Sequence, residues 1–258
     1  LTTPVSYPAD GTAMNTLRKS AANIRLGEYI ADATAESIAR YGLDTPRLVI
    51  RLHQAAGTIG TVGTTGSYAA TDYPEATITL VIGEQESDLV DYVLYDGGIY
   101  RCSTLLLRGV MNADWQETIT RYPVLTALGN LASLSRETAD GVDTWVITRT
   151  EQVAENNELV TDDEGNQVYD ITLTKNGESA DYTAFSAAYN QLMMVTMSGR
   201  LPDGWTAADA PHTVWTFTDV DGTVHTVALT RYDAMHDAVA IDGVALFYLI
   251  QGGFSLGI

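Results

Sequence analysis

Two stretches of this 258-residue chain run through the same order of elements, and that repetition limits its possible folds more than any other feature. Asp10 and Asp181, 171 residues apart, each stand where a helix N-cap belongs. Pro46 and Pro211, 165 apart, each precede an apolar strand, so that Val49, Ile50 and Leu52 fall on Val214, Trp215 and Phe217. TLVIG at 79–83 falls on TVALT at 226–230, an offset of 147. DYVLYDG at 91–97 falls on DAVAIDG at 237–243, an offset of 146. Both copies read helix, proline, strand, strand, strand, with an Asp-Gly turn that suits a tight hairpin. The expected fold is α+β: two similar modules, residues 1–122 and 123–258, each a mainly antiparallel β-sheet with a helix packed on one face. Period-two strands and few long helices argue against a doubly wound parallel sheet.

Local patterns fill in the elements. DGTAMNTLRKSAANIRLGEYIA, residues 10–31, places Met14, Leu17, Ala21 and Ile24 at helical spacing. ATAESIARYGLDTP reads as a helical turn, a glycine stop and Pro46. RLVIRLH and ATITLVIGE read as strands, DYVLYDGGIYRC as a hairpin about Asp96-Gly97-Gly98, and STLLLRGVMN as a short helix capped by Ser103. Beyond Pro123, GNLASLSRET and VDTWVITRTEQV flank a turn at Ala139-Asp140-Gly141, and NQVYDITLTK follows the acidic stretch ENNELVTDDEGN. A second helix carries Phe185, Ala188, Tyr189 and Leu192 on one stripe.

Between the first two matched strands the offset falls from 165 to 147, so the first copy holds 18 extra residues there. They fall within HQAAGTIGTVGTTGSYAATDY, residues 53–73, with Gly57, Gly60, Gly63 and Gly66 at every third position. A phosphate cradle needs a strand leading into a helix N-terminus, whose aligned N–H groups hold the anion. Here a strand follows, and the second copy makes the same connection with the turn DVDG, 219–222. The ladder is therefore expected to be an exposed hairpin arm rather than a nucleotide site.

Composition excludes some partners. The chain carries 33 Asp+Glu against 14 Lys+Arg, with Lys19 and Lys175 its two lysines. That field repels phosphate backbones and anionic lipid, so nucleic acid is not an expected partner. Solubility accounts for the acidity, and a basic partner or a cation is the alternative. A chain of this length buries roughly three quarters of its unfolded surface without help from a metal or disulfide. Cys102 is the single cysteine, set beside an apolar run like a small buried residue. No apolar run approaches the ~20 residues of a membrane span. The opening LTTPVSYPAD lacks an initiator methionine, so the chain is expected to be trimmed, and any signal peptide or anchor would lie ahead of Leu1.

Catalytic patterns are weak. His225 and His236 would face each other across paired strands with Asp237 adjacent, the best candidate for a metal pair. Asp162, Asp163, Glu164 and Asn166 crowd carboxylates round Gly165, but without the spacing of a calcium loop. No GxSxG, SxxK or Cys/His arrangement occurs. No catalytic, cofactor-binding or metal residue is assigned, and no cofactor is expected. Several of Tyr92, Tyr95, Tyr100, Trp205 and Trp215 would line one concave surface if the protein bound a small ligand or glycan. A hydrolase is the weaker alternative and needs clustered carboxylates in a cleft.

ARYGLDTPRLVIRL, TITLVIGE and DYVLYDGGIYRC together resemble the domain of unknown function 4340 family. Its members run through a helix, a "yGLd-P" element, a strand, an "l-iG" strand and a further strand before a short helix. LTTPVSYPADGTAMNTLRKSAANI resembles the family's extended lead-in to that helix. The likeness covers residues 1–122 well and the rest as a divergent copy, in which WTAADAPHTVW keeps the proline without the GLD. It implies a bacterial, extracytoplasmic protein, tethered by an N-terminal hydrophobic segment, with some relatives beside transport genes of the gliding type. It implies no catalytic residues. The function expected is a non-enzymatic binding or scaffold module of a membrane-associated assembly, with a protein partner at the cell envelope.

Overall fold

A computed structural model describes residues 5–62, 68–154, 159–162 and 164–257. The fold is α+β, dominated by antiparallel sheets with a few helices. The chain forms two compact units: Gly11–Thr118, the first unit, and Leu1–Asp10 with Ile119–Ile258, the second.

The first unit runs α1 (Gly11–Ala22), β1 (Leu26–Asp32), α2 (Ala35–Arg40), β2 (Leu48–Gln54), β3 (Gly57–Val62), β4 (Tyr68–Tyr73), β5 (Ala76–Ser87), β6 (Val90–Tyr95), β7 (Gly98–Ser103) and α3 (Thr104–Met111). The expected helix over 10–31 is shorter than its periodicity suggests. It stops at Ala22, and Leu26–Asp32 becomes a strand pairing with β7. The reason is tertiary: Leu26 belongs to the core beneath the sheet, where Ile24 also packs. Ser103 sits at the N-cap of α3, but its side chain makes no cap hydrogen bond. Thr34 caps α2 in a full capping box with Ser37.

Five strands form one sheet in the order β1-β7-β6-β5-β2. Ile50, Leu80, Ile82, Val93, Cys102 and Leu107 make its core, with α3 supplying Leu107. α1 lies against α3, and a Cβ on Gly109 would fall 2.7 Å from Ser20 Oγ, so the helices cross where only glycine fits. Gly83 is tighter still, because a Cβ there would collide with the Tyr41 carbonyl and the Leu43 side chain. The glycine ladder forms a separate two-stranded ribbon, β3 with β4, registered Gly57↔Tyr73 to Val62↔Tyr68. Gly63 and Gly66 lie outside the described residues.

The second unit runs β8 (Leu131–Thr138), β9 (Gly141–Glu151), β10 (Tyr169–Lys175), β11 (Glu178–Ala180), α4 (Tyr182–Met193), β12 (Gly199–Arg200), β13 (Thr213–Asp219), β14 (Val224–Arg231), β15 (His236–Ile241) and β16 (Val244–Ile250). Its sheet has nine strands in the order β11-β10-β9-β8-β13-β14-β15-β16-β12. Asp181 caps α4 by accepting from the Thr183 and Ala184 N–H groups. Phe185, Tyr189 and Leu192 are the buried stripe of that helix. Phe185 lies 6.3 Å from Trp145, which stacks on Trp215 at 6.5 Å. Tyr189 donates its hydroxyl to the Thr126 carbonyl at 2.9 Å, which satisfies the one polar atom it carries inside.

The two meanders share register. Ile50↔Leu80 and Leu52↔Ile78 correspond to Trp215↔Val227 and Phe217↔His225 at the offsets read from the sequence. Val81↔Leu94 and Ile82↔Val93 correspond to Ala228↔Ala240 and Leu229↔Val239. Asp96 and Asp242 both take positive φ, 46° and 49°, each followed by a left-handed glycine, as a type I′ turn requires. The meanders differ at one border. β13 is paired on its far side by β8, whereas β2 is the last strand of its sheet.

Candidate functional site

Two buried carboxylates are the most unusual chemistry in the core. Asp91 on β6 is fully buried and forms an ion pair with Arg47, the residue after Pro46. The Arg47 Nε also donates to the Gly83 carbonyl at 2.7 Å, so the guanidinium ties β2 to the bulge of β5. Asp237 on β15 is as deeply buried, and the Nε2 of His212, the residue after Pro211, lies 3.2 Å from its Oδ1. Arg231 stands 3.9 Å from the same oxygen. Among the described residues Asp91 Oδ2 has no hydrogen-bond partner, and Asp237 Oδ1, although within ion-pair reach of His212 and Arg231, accepts no aligned hydrogen bond. An acid inside, held by a base just past a proline, joins the first and third strands of each meander. The arrangement fastens the sheet, and neither carboxylate lines either of the two apolar cavities described below.

Cys102 faces Asp91 across the strand pair and is 2% exposed. Burial, with Asp91 adding to it, pushes the thiol up to about 11, so it stays protonated and is no nucleophile at neutral pH. His225 and His236 do not face each other. In the β14–β15 register Arg231 pairs with Asp237 and Val227 with Ile241, which sets the two histidines at opposite ends of the hairpin. His225 binds Asp242 at 2.9 Å, and His236 binds Asp233 at 2.9 Å. No group of three or more His, Cys, Asp or Glu side chains among the described residues converges on a metal position. Asp162 accepts from the Glu164 and Asn166 backbone N–H groups, and these bonds with the Asn166 side chain hold its carboxyl below the usual range. It closes a hairpin turn bridged by Thr161 and Gln167. Asp163 lies outside the described residues.

The five aromatic residues do not share a surface. Tyr92 is on the opposite face of its sheet from Tyr95 and Tyr100, because Val93↔Tyr100 and Tyr92↔Arg101 are successive pairs. Tyr92 packs on Tyr41 at 4.5 Å, and Tyr100 meets Tyr29 edge-on. Trp215 is buried in the second unit, while Trp205 leans on Tyr232. Trp205 does border a cavity of about 390 Å³ floored by Ala228, Ala238, Ala240 and Ala245.

The larger cavity, about 630 Å³, lies in the first unit between α1 and the border strand β2. Met14, Leu17 and Ala21 form one wall, Ile50, Leu52 and Val110 the other, and Arg18 and Arg51 stand at the rim. The lining is almost wholly apolar, and Met14 is 36% exposed. Arg51 has no ion-pair partner among the described residues, although acids outnumber bases more than twofold in the chain. Helical periodicity identified the stripe that lines this groove. It could not say whether another element of the same unit covers it. The buried Asp91 and Asp237 were also missed, although both sit in the matched heptapeptides, opposite Arg47 and His212 that match in turn.

The chain belongs to the family described as domain of unknown function (DUF4340), whose match spans residues 1–213. No curated protein and no solved structure matches the chain. Among the described residues no helix is long and apolar enough to cross a membrane.

Proposed function

We propose that this chain is a bacterial, extracytoplasmic binding or scaffold module of a membrane-associated assembly, of the kind that accompanies a transporter, and that it acts without catalysis. The observation that carries the reading is the apolar groove between α1 and β2, bordered by Arg51, which has no ion-pair partner among the described residues. Groups with chemical potential are engaged in holding the fold: Asp91 with Arg47, Asp237 with His212, Cys102 as a buried thiol. An apolar recess on an otherwise acidic surface fits contact with another macromolecule. The aromatic-groove alternative loses its support, since its residues fall on different faces and in a core.

We further propose that the chain holds two copies of one module, α1-β1-β2-β5-β6-β7 and α4-β12-β13-β14-β15-β16. Support comes from shared strand order, shared register and the matched acid–base pairs. The β8–β11 meander is an addition to the second copy.

The test uses the full-length gene product in its native cell. A photo-crosslinking amino acid is placed at Met14, and in a second strain at Val142, an exposed position of β9. The expected result is a discrete adduct from position 14 in the envelope fraction and none from 142. Recovery of the protein in the cytosol, with no adduct from either position, contradicts the reading.

A further inference from the structure

The second unit shows what covers the border strand of such a module. β13 is paired by β8 in antiparallel register, Phe217↔Leu134, Thr216↔Ser135 and Trp215↔Arg136. Above that pair lies α4, whose Phe185 is fully buried against Trp145 of β9. At the offset of 171, Phe185 corresponds to Met14 and Leu192 to Ala21. Met14 thus projects over the place where, in the second unit, further strands lie. The groove borders β2, the last strand of its sheet among the described residues, whose alternate backbone N–H and C=O groups turn to that unpaired side.

We propose that the outer edge of β2 accepts an extended strand of a partner protein, antiparallel to β2, with apolar side chains over Ile50 and Leu52 beneath α1 and a carboxylate opposite Arg51. This rests on the reading of the chain as a binding module and names the kind of partner. Strand addition satisfies the free edge by main-chain hydrogen bonds, and the alternating side chains supply selectivity. The apolar requirement comes from Met14, Leu17, Ile50 and Leu52 on the α1 side. The acidic requirement comes from Arg51, which lies on the other face between Val49 and His53, all exposed. A second copy of this chain fits poorly, since edge-to-edge β2 strands bring Arg51 against Arg51 or Arg47 against His53. The competing possibility is that Arg51 and His53 only guard a bare edge against pairing.

The probe is a synthetic peptide of residues 130–140 carrying Ser135→Glu and Arg136→Leu. In the β8 register this sets Leu134 over Leu52, leucine over Ile50 and glutamate opposite Arg51. Residue-resolved hydrogen exchange of the full chain should show saturable new protection at alternate amides of 48–54 and nowhere in β13. A peptide with Ser135→Lys should bind about fivefold more weakly, the size of a cross-strand charge pair. The Arg51→Glu chain should reverse that preference, and because Arg51 is exposed the variant keeps its fold. N-methylation of the peptide's edge-facing amides should abolish protection. No protection of β2 at about 1 mM peptide, a K_d limit near the weakest specific contacts, overturns strand addition and favours the guarded edge. A dimer in solution that blocks β2 overturns it in favour of a second copy. If β2 fails these tests while position 14 still crosslinks in cells, strand addition falls and the binding-module reading stands.

Discussion

β2 and β13 hold the same place in meanders of the same register, yet one is a border and the other an interior strand. Their side chains follow that difference. Ile50 and Leu52 of β2 correspond to Trp215 and Phe217 of β13, and the exposed Met14 of α1 corresponds to the buried Phe185 of α4. Large aromatics occupy the unit whose helix packs over β8 and β9, where such rings lose contact with water. The smaller aliphatics occupy the unit in which β2 is the last strand of its sheet among the described residues. What is shared between the units is backbone pairing and the buried acid; what differs is how far the sheet continues.

The comparison can be broken most directly at the helices. Phe185→Ala should cost about 3–5 kcal/mol, as for other buried phenylalanines, while Met14→Ala should cost under about 1 kcal/mol, because its side chain is partly in water. Denaturant unfolding of both variants measures the gap, and equal losses would mean that α1 is roofed too. Gly83→Ala should destabilise by about 1–3 kcal/mol, since the new methyl meets a backbone carbonyl that cannot turn aside. The same substitution in the matched position has no counterpart, because Thr230 already stands there. Asp91→Asn should cost more than Asp237→Asn, by about 1 kcal/mol, since it removes the close partner of Arg47, whereas the arginine near Asp237, Arg231, stands 3.9 Å off and is half-exposed.

Cys102 gives a sharper chemical test. Its thiol is raised in the folded state to about 11, so folding favours the protonated form. That contribution is complete below the ordinary thiol value near 8.5 and is lost as pH climbs toward 11. Native protein at pH 8 should react with a thiol reagent only at the rate of unfolding, and Cys102→Ser should remove the part of the alkaline stability loss that begins near 8.5, leaving that of Tyr7 and Tyr189, whose hydroxyls burial also pushes up. The smallest effect belongs to the ribbon. Deleting residues 57–73 leaves Ala55, Ala56, Pro74 and Glu75 to join β2 to β5, and should change stability by less than about 1 kcal/mol. Circular dichroism and thermal melting check this.

Much of the fold was legible because period-two alternation and Asp-Gly turns act locally. DYVLYDGGIYRC and DAVAIDGVALFYLI state their hairpins in full, and the change of offset located the ribbon. The end of α1 was not legible: RLGEYIA keeps helical spacing, and only pairing with β7 makes it a strand. The site was less legible still. Met14, Leu17 and Ala21 declare an apolar stripe, but whether anything covers it depends on the order of strands in a sheet, which no local pattern carries. The histidines misled for the same reason, since register decides which residues face each other.

Residue-resolved hydrogen exchange on the unliganded chain, comparing 48–54 with 213–219, tests the central contrast most directly. Protection along the whole of β13, with alternate amides of β2 exchanging freely, is the predicted result. Equal protection along both strands would contradict the account, because it would mean that β2 has a neighbour on its outer side.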